Sequence, residues 1–376
     1  MKKFIQLVPF YPTPYELQAR EDYFLLPADL MREKGYETEF ITLRNTAPTP
    51  EYKTGNNLAK KEEIYKGHLV KRFDNVIQLY RYMRGQKGAL LQVHLRPYPP
   101  SQFASFIAPQ KKALRPFTYL LGSNPLIQIL TKLAMPKYDL IQCVTPYEIE
   151  IYKNAGVPEK KMKWIPLSID YPFYSTPPKD VKKTAEKWGY ADSEFVITSI
   201  AQIRFHKRFD DVMRALKIIR EKIPSAKFLA IGEDWLPRQN LPDIHQLAKS
   251  IGVESSTIIT GFHPPETVRS FIHGVNAFIH GADNEYQGLV TYENAAAGNP
   301  LCLSNIGTHT SVFNDSALYH EVADHEALAK NLLKYYEDDS LRKEHIAKNR
   351  KLVKDWDYEV IKKKMSDSYD EMLNSQ

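Results

Sequence analysis

The chain has 376 residues, 43% of them hydrophobic and 26% charged, which is enough apolar material for two ordinary domain cores and excludes a disordered tail. Two cysteines, Cys143 and Cys302, are too few for a disulfide framework or a four-ligand zinc site, so a reducing compartment is expected; the 16 glycines are outnumbered by 25 prolines. The net charge of +6 divides unevenly, residues 1–180 carrying 26 Lys and Arg against 17 Asp and Glu, the remainder 25 against 28.

The opening "MKKFIQLVPFYPTP" is basic and then apolar, but prolines break it and no small-residue cleavage site follows, so it reads as a buried first strand and not a signal peptide. No stretch approaches the roughly 18 apolar residues of a membrane span, and a cytoplasmic protein is expected. "REDYFLLPADLMREKGY" reads as a helix carrying Pro27, "ETEFITL" as a strand, and "ALLQVHL", "RPFTYLLG" and "YDLIQCVT" as further strand-length apolar runs. Pro166, Pro172, Pro177 and Pro178 then interrupt regular structure and mark a linker. A second alternating series starts at "EFVITSIAQI" and runs through helix "RFDDVMRALKIIREKI", strand "AKFLAIG", helix "LPDIHQLAKSIG", strand "TIITGF", helix "PPETVRSFIHG", strand "NAFIHGA", helix "GLVTYENAAAG" and strand "NPLCLSN". The last 50 residues are helical and highly charged. Strands alternating with helices predict parallel sheets, and the proline-rich break predicts two βαβ domains facing across a cleft.

Residues 278–307 carry the chemistry. A strand ends near His280, a polar loop holds Glu285, and a helix opens around Gly288 with Glu293 in its second turn, about 7.5 Å further along the axis. A ligand along that helix N-terminus would meet a carboxylate at each end, with the first-turn N–H groups and the positive end of the dipole suited to a diphosphate between them. Ala295, Ala296, Ala297 and Gly298 allow close packing of this helix on the sheet.

These residues resemble the signature of the GT-B glycosyltransferases of the retaining family 4 group: Glu285, seven residues, Glu293, then "NAAAGNP" and strand "LCLS". "VITSIAQIRFHKRFDDVMRAL", "AKFLAIGED" with Gly232, "IITGFHPPETVRSFIHGVNAFIHGA" and the closing "DWDYEVIKKKMSDSYDEML" are similar to successive family segments, and the opening strand, helix and strand also match. The resemblance implies an α/β GT-B fold of two Rossmann-like domains, residues 1–170 on the acceptor side and 171–355 binding the nucleotide sugar. A C-terminal helix, about 356–376, would pack back onto the first domain. It further implies that Glu293 binds the donor ribose, that Glu285 positions the transferred sugar, that Lys207 holds the diphosphate, and that N–H groups of Gly288, Leu289 and Val290 touch phosphate or sugar. The expected reaction is hexosyl transfer with retention from a UDP- or GDP-sugar to a glycan or lipid-linked acceptor in cell-surface polysaccharide or glycoconjugate biosynthesis, with no cofactor and no metal.

Three departures qualify the match. With Lys207 in the family lysine's place, the family arginine falls on Gln202 and a family glycine on Arg208, leaving Arg204 or Arg208 to supply the lost charge. The N-terminal glycine loop is absent, which motivates the alternative of a non-catalytic GT-B protein that binds sugar nucleotides or a partner. His94 and Arg96 follow the strand "ALLQV" and are the weak acceptor-side candidates, although His94 is more simply read as an ordinary strand-end histidine. Residues 64–138 hold 12 basic residues and a single acid, Asp74. Interleaved with Tyr, Phe and Leu, they predict peripheral contact with anionic membrane. No recognisable nucleic-acid module accompanies the charge, so nucleic acid is not expected as a partner.

Overall fold

The computed structural model describes residues 2–8, 22–44, 60–95, 99–116, 129, 132–233 and 244–374. They form two compact units, the first comprising Met1–Leu167 with Glu359–Gln376, the second Ser168–Tyr358.

The first unit is built on an eight-stranded sheet. In chain order its strands are β1 (Lys3–Leu7), β2 (Glu37–Leu43), β3 (Glu62–Tyr65), β4 (His68–Phe73), β5 (Leu90–Leu95), β6 (Lys111–Pro116), β7 (Leu140–Cys143) and β8 (Met162–Trp164). Their spatial order is β3-β4-β2-β1-β5-β6-β7-β8. Every ladder is parallel except β3–β4, a hairpin unforeseen in the sequence reading. Its turn residues Lys66 and Gly67 both have positive φ (49° and 81°), the requirement of a two-residue turn whose twist matches the strands. Strand β6 begins before the expected "RPFTYLLG", because Lys111–Pro116 supplies the ladder to β5; residues 117–122 lie outside the described ones. The helix Tyr358–Asn374 buries Ile361, Met365 and Met372, and Tyr369 donates to Gln92 Oε1 at 2.8 Å.

The proline-rich stretch is more ordered than a linker reading implies. It contains β8 and the short helices Tyr171–Ser175 and Val181–Lys187, with Pro172 in a first turn, where its missing N–H and fixed φ cost nothing.

The second unit carries six strands: β9 (Val196–Ile200), β10 (Lys227–Ile231), β11 (Thr257–Gly261), β12 (Ala277–His280), β13 (Leu301–Ser304) and β14 (Leu318–His320). All pair in parallel, in the order β11-β10-β9-β12-β13-β14. This is the doubly wound arrangement, in which the strand order reverses between β9 and β12 and ligands sit at the carboxyl ends of those two strands. Strands β9, β12 and β13 are buried end to end, as central parallel strands must be. The helix Phe209–Lys222 packs Phe209, Val212, Met213, Leu216 and Ile219 into the core beside Phe195, Ile197, Phe228 and Leu332.

Two glycines answer to geometry here. Gly232, just past β10, has φ +141°, and a Cβ on it would stand 1.8 Å from the carbonyl oxygen of Ala201 beyond β9. Gly298 takes the left-handed conformation (φ +96°) that ends the helix Leu289–Ala297, and the Arg350 guanidinium fills the space a Cβ would need, donating to the Ala297 carbonyl at 2.7 Å.

Candidate active site

The loops that leave β9 and β12 meet at the switch point. Beyond β9 the chain makes a short turn, Phe205–Lys207, and enters the helix Phe209–Lys222 through Arg208. Arg208 stands where the family pattern has glycine, and it adopts the left-handed conformation glycine favours (φ +56°). Its Nε donates to Asp211 Oδ2 at 2.7 Å, and Asp210 and Asp283 lie within 4 Å, so its charge is neutralised locally. The backbone N–H of Asp283, beyond β12, donates to the His206 carbonyl at 2.9 Å and ties the two loops together.

This tie brings Lys207 to Glu285. Lys207 Nζ lies 2.6 Å from Glu285 Oε2, both side chains being about 15% exposed. Glu285 Oε1 accepts the Tyr286 backbone N–H at 3.0 Å, and the Thr308 hydroxyl donates to the Glu285 carbonyl at 2.6 Å. His280, the last residue of β12, places Nε2 3.1 Å from Glu285 Oε2, while its Nδ1 lies 2.9 Å from Thr291 Oγ1. Burial alone would raise the Glu285 pKa, but the Lys207 ammonium and His280 outweigh it and hold the carboxyl well below its ordinary range. Burial lowers the basicity of the neighbouring histidines: His280 is depressed, His309 falls to about 3 and His320 to about 4. The floor of the site is therefore neutral imidazole under a carboxylate–ammonium pair.

The helix Leu289–Ala297 completes the constellation. Gly288 caps it with no side-chain hydrogen bond, and its first turn holds no acid of its own to offset the positive end of the dipole. Glu293 is buried in the second turn, and Ala295 and Ala296 are fully buried against the sheet.

The structure thus places Glu285, Lys207 and the helix start at Gly288, Leu289 and Val290 at the carboxyl ends of the central strands β9 and β12, with Glu293 in that helix's second turn and Gly232 at the end of β10, the neighbour of β9. Arg204 lines a small groove with Ile203, Phe205, Phe209, Arg214 and Leu247. His94 is fully buried, with Nε2 2.7 Å from Gln6 Oε1 and its ring edge-on to Phe24 at 4.9 Å, the arrangement of a packed strand-end histidine. Arg96 lies outside the described residues. His280, Thr291 and Thr308 are the residues that sequence reasoning did not pick out.

Residues 180–352 match the family model for glycosyl transferases group 1. The chain is 24% identical over 227 residues to the N-acetyl-alpha-D-glucosaminyl L-malate synthase of Bacillus anthracis, covering 60% of this chain and 57% of that one. It is 24% identical over 169 residues to the alpha-monoglucosyldiacylglycerol synthase of Streptococcus pneumoniae, covering 44% and 37%. The alignments therefore span a little over half and about a third of these relatives' lengths. Among solved structures, Anabaena HepE in complex with UDP-glucose superposes with a TM-score of 0.77 at 16% identity, over 98% of this chain and 99% of that one. Sucrose-phosphate synthase from Thermosynechococcus elongatus does so with 0.75 at 14%, over 100% of both. With the doubly wound second unit and its paired glutamates, these matches show that residues 180–352 carry the group 1 glycosyl transferase pattern and that the chain has the GT-B fold.

Proposed function

We propose that the protein is a retaining glycosyltransferase that moves a hexose from a UDP- or GDP-sugar to a glycan or lipid-linked acceptor. The observation that carries this reading is the Lys207–Glu285 pair, 2.6 Å apart at the switch point, beside a helix N-terminus whose cap, Gly288, makes no side-chain hydrogen bond and whose second turn holds Glu293. In the proposed reaction the bond from the anomeric carbon to the diphosphate breaks as the acceptor hydroxyl oxygen attacks from the same face, and a donor phosphate oxygen takes the hydroxyl proton. Negative charge grows on the departing diphosphate, where Lys207 and the N–H groups of Leu289 and Val290 stabilise it without rearrangement. Glu285 holds the sugar hydroxyls, and Glu293 the ribose. These residues supply the positive charge themselves, so transfer is proposed to need no metal; rates unchanged by chelator are expected, and restoration by a divalent ion after chelation would contradict this. Thermal-shift measurements against UDP, GDP, ADP and their sugars test the reading, because a ligand bound only by the folded state raises the melting temperature. Stabilisation by one nucleotide series is expected, and none by any would refute it. Binding without sugar-nucleotide hydrolysis or transfer to any acceptor would instead favour the non-catalytic alternative.

For the acceptor side, we infer peripheral contact with anionic membrane. The helix Pro99–Ile107 holds no acidic residue in its first turn and exposes Phe103 and Phe106, Leu133 and Ile129 are more than half exposed, and Lys137 Nζ stands 5.2 Å over the Phe106 ring. Apolar side chains among lysines suit a headgroup boundary. Flotation with phosphatidylglycerol vesicles but not with phosphatidylcholine vesicles is expected, and equal behaviour with both would overturn it.

A further inference from the structure

His280 occupies the last position of β12, directly beneath the loop that carries Glu285. The ring is buried: Nδ1 is hydrogen-bonded to Thr291 Oγ1 at 2.9 Å, and Nε2 stands 3.1 Å from Glu285 Oε2 with no aligned hydrogen-bond partner. A bare Nε2 lone pair 3.1 Å from a carboxylate oxygen would be repelled, so the proton sits on Nε2, although its N–H is not aligned on Glu285 as a hydrogen bond. Nδ1 is then a bare acceptor, and the Thr291 hydroxyl donates to it. The ring is also wedged sterically, since a Cβ on Gly288 would lie 2.5 Å from His280 Cε1. The space left by the missing side chain of Gly288 is the space His280 uses. The His309 ring closes the other side at a centroid distance of 4.9 Å.

We propose that His280 is a positioning residue for Glu285, locked in one tautomer by Thr291, and that it keeps the Glu285 carboxylate aimed at the donor sugar once the diphosphate has drawn Lys207 away. The inference rests on the donor site proposed above and adds a division of labour within it. Glu285 Oε2 faces both the ammonium and the imidazole. An incoming diphosphate competes for the ammonium, and the imidazole beside Oε2, with the Tyr286 backbone N–H on Oε1, then holds the carboxylate. Thr291 lies three residues beyond Gly288 on the helix whose N-terminus would meet that diphosphate, so the chain Thr291–His280–Glu285 fixes the sugar-binding carboxylate to the phosphate-binding helix.

The test compares His280→Phe, which keeps an aromatic ring and removes both nitrogens, with His280→Gln, whose amide nitrogen reaches the position of Nε2. Release of nucleoside diphosphate from the sugar nucleotide is measured as kcat and KM, beside the dissociation constant of the nucleoside diphosphate alone. His280→Phe is expected to lower kcat by about 10–100-fold, the usual effect of losing an orienting partner, with nucleotide affinity within about threefold. His280→Gln should recover most of that loss, and His280→Phe should add nothing further in a Glu285→Gln background, since residues acting through one another are not additive. Wild-type kcat in His280→Phe, a further loss on top of Glu285→Gln, or no recovery by Gln would each overturn the proposal. Should His280→Phe fail to fold, Thr291→Val removes the tautomer lock while leaving the ring in place, and an unchanged kcat there would equally overturn it. A wild-type protein that binds no nucleoside diphosphate refutes the donor site itself, an outcome distinct from an active enzyme indifferent to His280.

Discussion

Replacing Lys207 with Met removes one ammonium and preserves most of the apolar stem. That ammonium lies 2.6 Å from Glu285 Oε2, and neither side chain is more than about 16% exposed. A hydrogen bond to a charged group contributes about 1.5–3 kcal/mol, which for a phosphate would correspond to roughly 10–150-fold in affinity. The structure argues for the lower end, because a diphosphate takes Lys207 from a carboxylate and not from water. Roughly tenfold weaker binding of the nucleoside diphosphate is therefore expected. Isothermal titration with the diphosphate and with the bare nucleoside separates the causes, since only the former should weaken. A diphosphate affinity within twofold of wild type, or an equal loss for the nucleoside, would refute the assignment.

Other substitutions address the remaining contacts. Glu285→Ala should lower turnover by about 10²–10³-fold, in the range of lost transition-state contacts, while nucleotide affinity stays within a few-fold. Glu293→Ala should weaken nucleotide binding about tenfold by titration, through the lost ribose hydrogen bond. Gly232→Ala sets a methyl 1.8 Å from the Ala201 carbonyl oxygen at φ +141°, so a stability loss of about 2–4 kcal/mol is expected in urea denaturation. Acid should also weaken the fold through its buried imidazoles. His309 and His320 bind a proton near pH 6.5 when unfolded but only at about 3 and about 4 when folded, so the unfolded chain takes up more protons in that window and stability falls as pH drops through it. The melting temperature of His309→Phe should fall less steeply than that of wild type between about pH 6.5 and 4.

The second unit was legible because each of its strands is a short apolar run and each helix an amphipathic one, and because Glu285, Glu293 and Lys207 keep a recognisable spacing. The arrangement around them depends on long-range pairing, which spacing does not show. That Lys207 and Glu285 touch, 78 residues apart, follows from β9 and β12 being neighbours. His280 read as nothing more than a strand end, and its role depends on the empty volume at Gly288. Arg208 looked like a spare cation for the missing family arginine, but its left-handed backbone and three acidic neighbours turn it inward. In the first unit the β3–β4 hairpin escaped notice because Lys66-Gly67 is a weaker turn signal than Asn-Gly, and the short strand Glu62–Tyr65 has little apolar content.

The central claim is that unit two binds a nucleotide sugar and that Glu285 acts on the sugar it carries. Release of nucleoside diphosphate from UDP- and GDP-sugars by the purified chain, compared with Glu285→Ala, tests it most directly. Measurable release from one sugar nucleotide, abolished in Glu285→Ala although that variant still binds the nucleotide, is predicted; equal release by both proteins would contradict it.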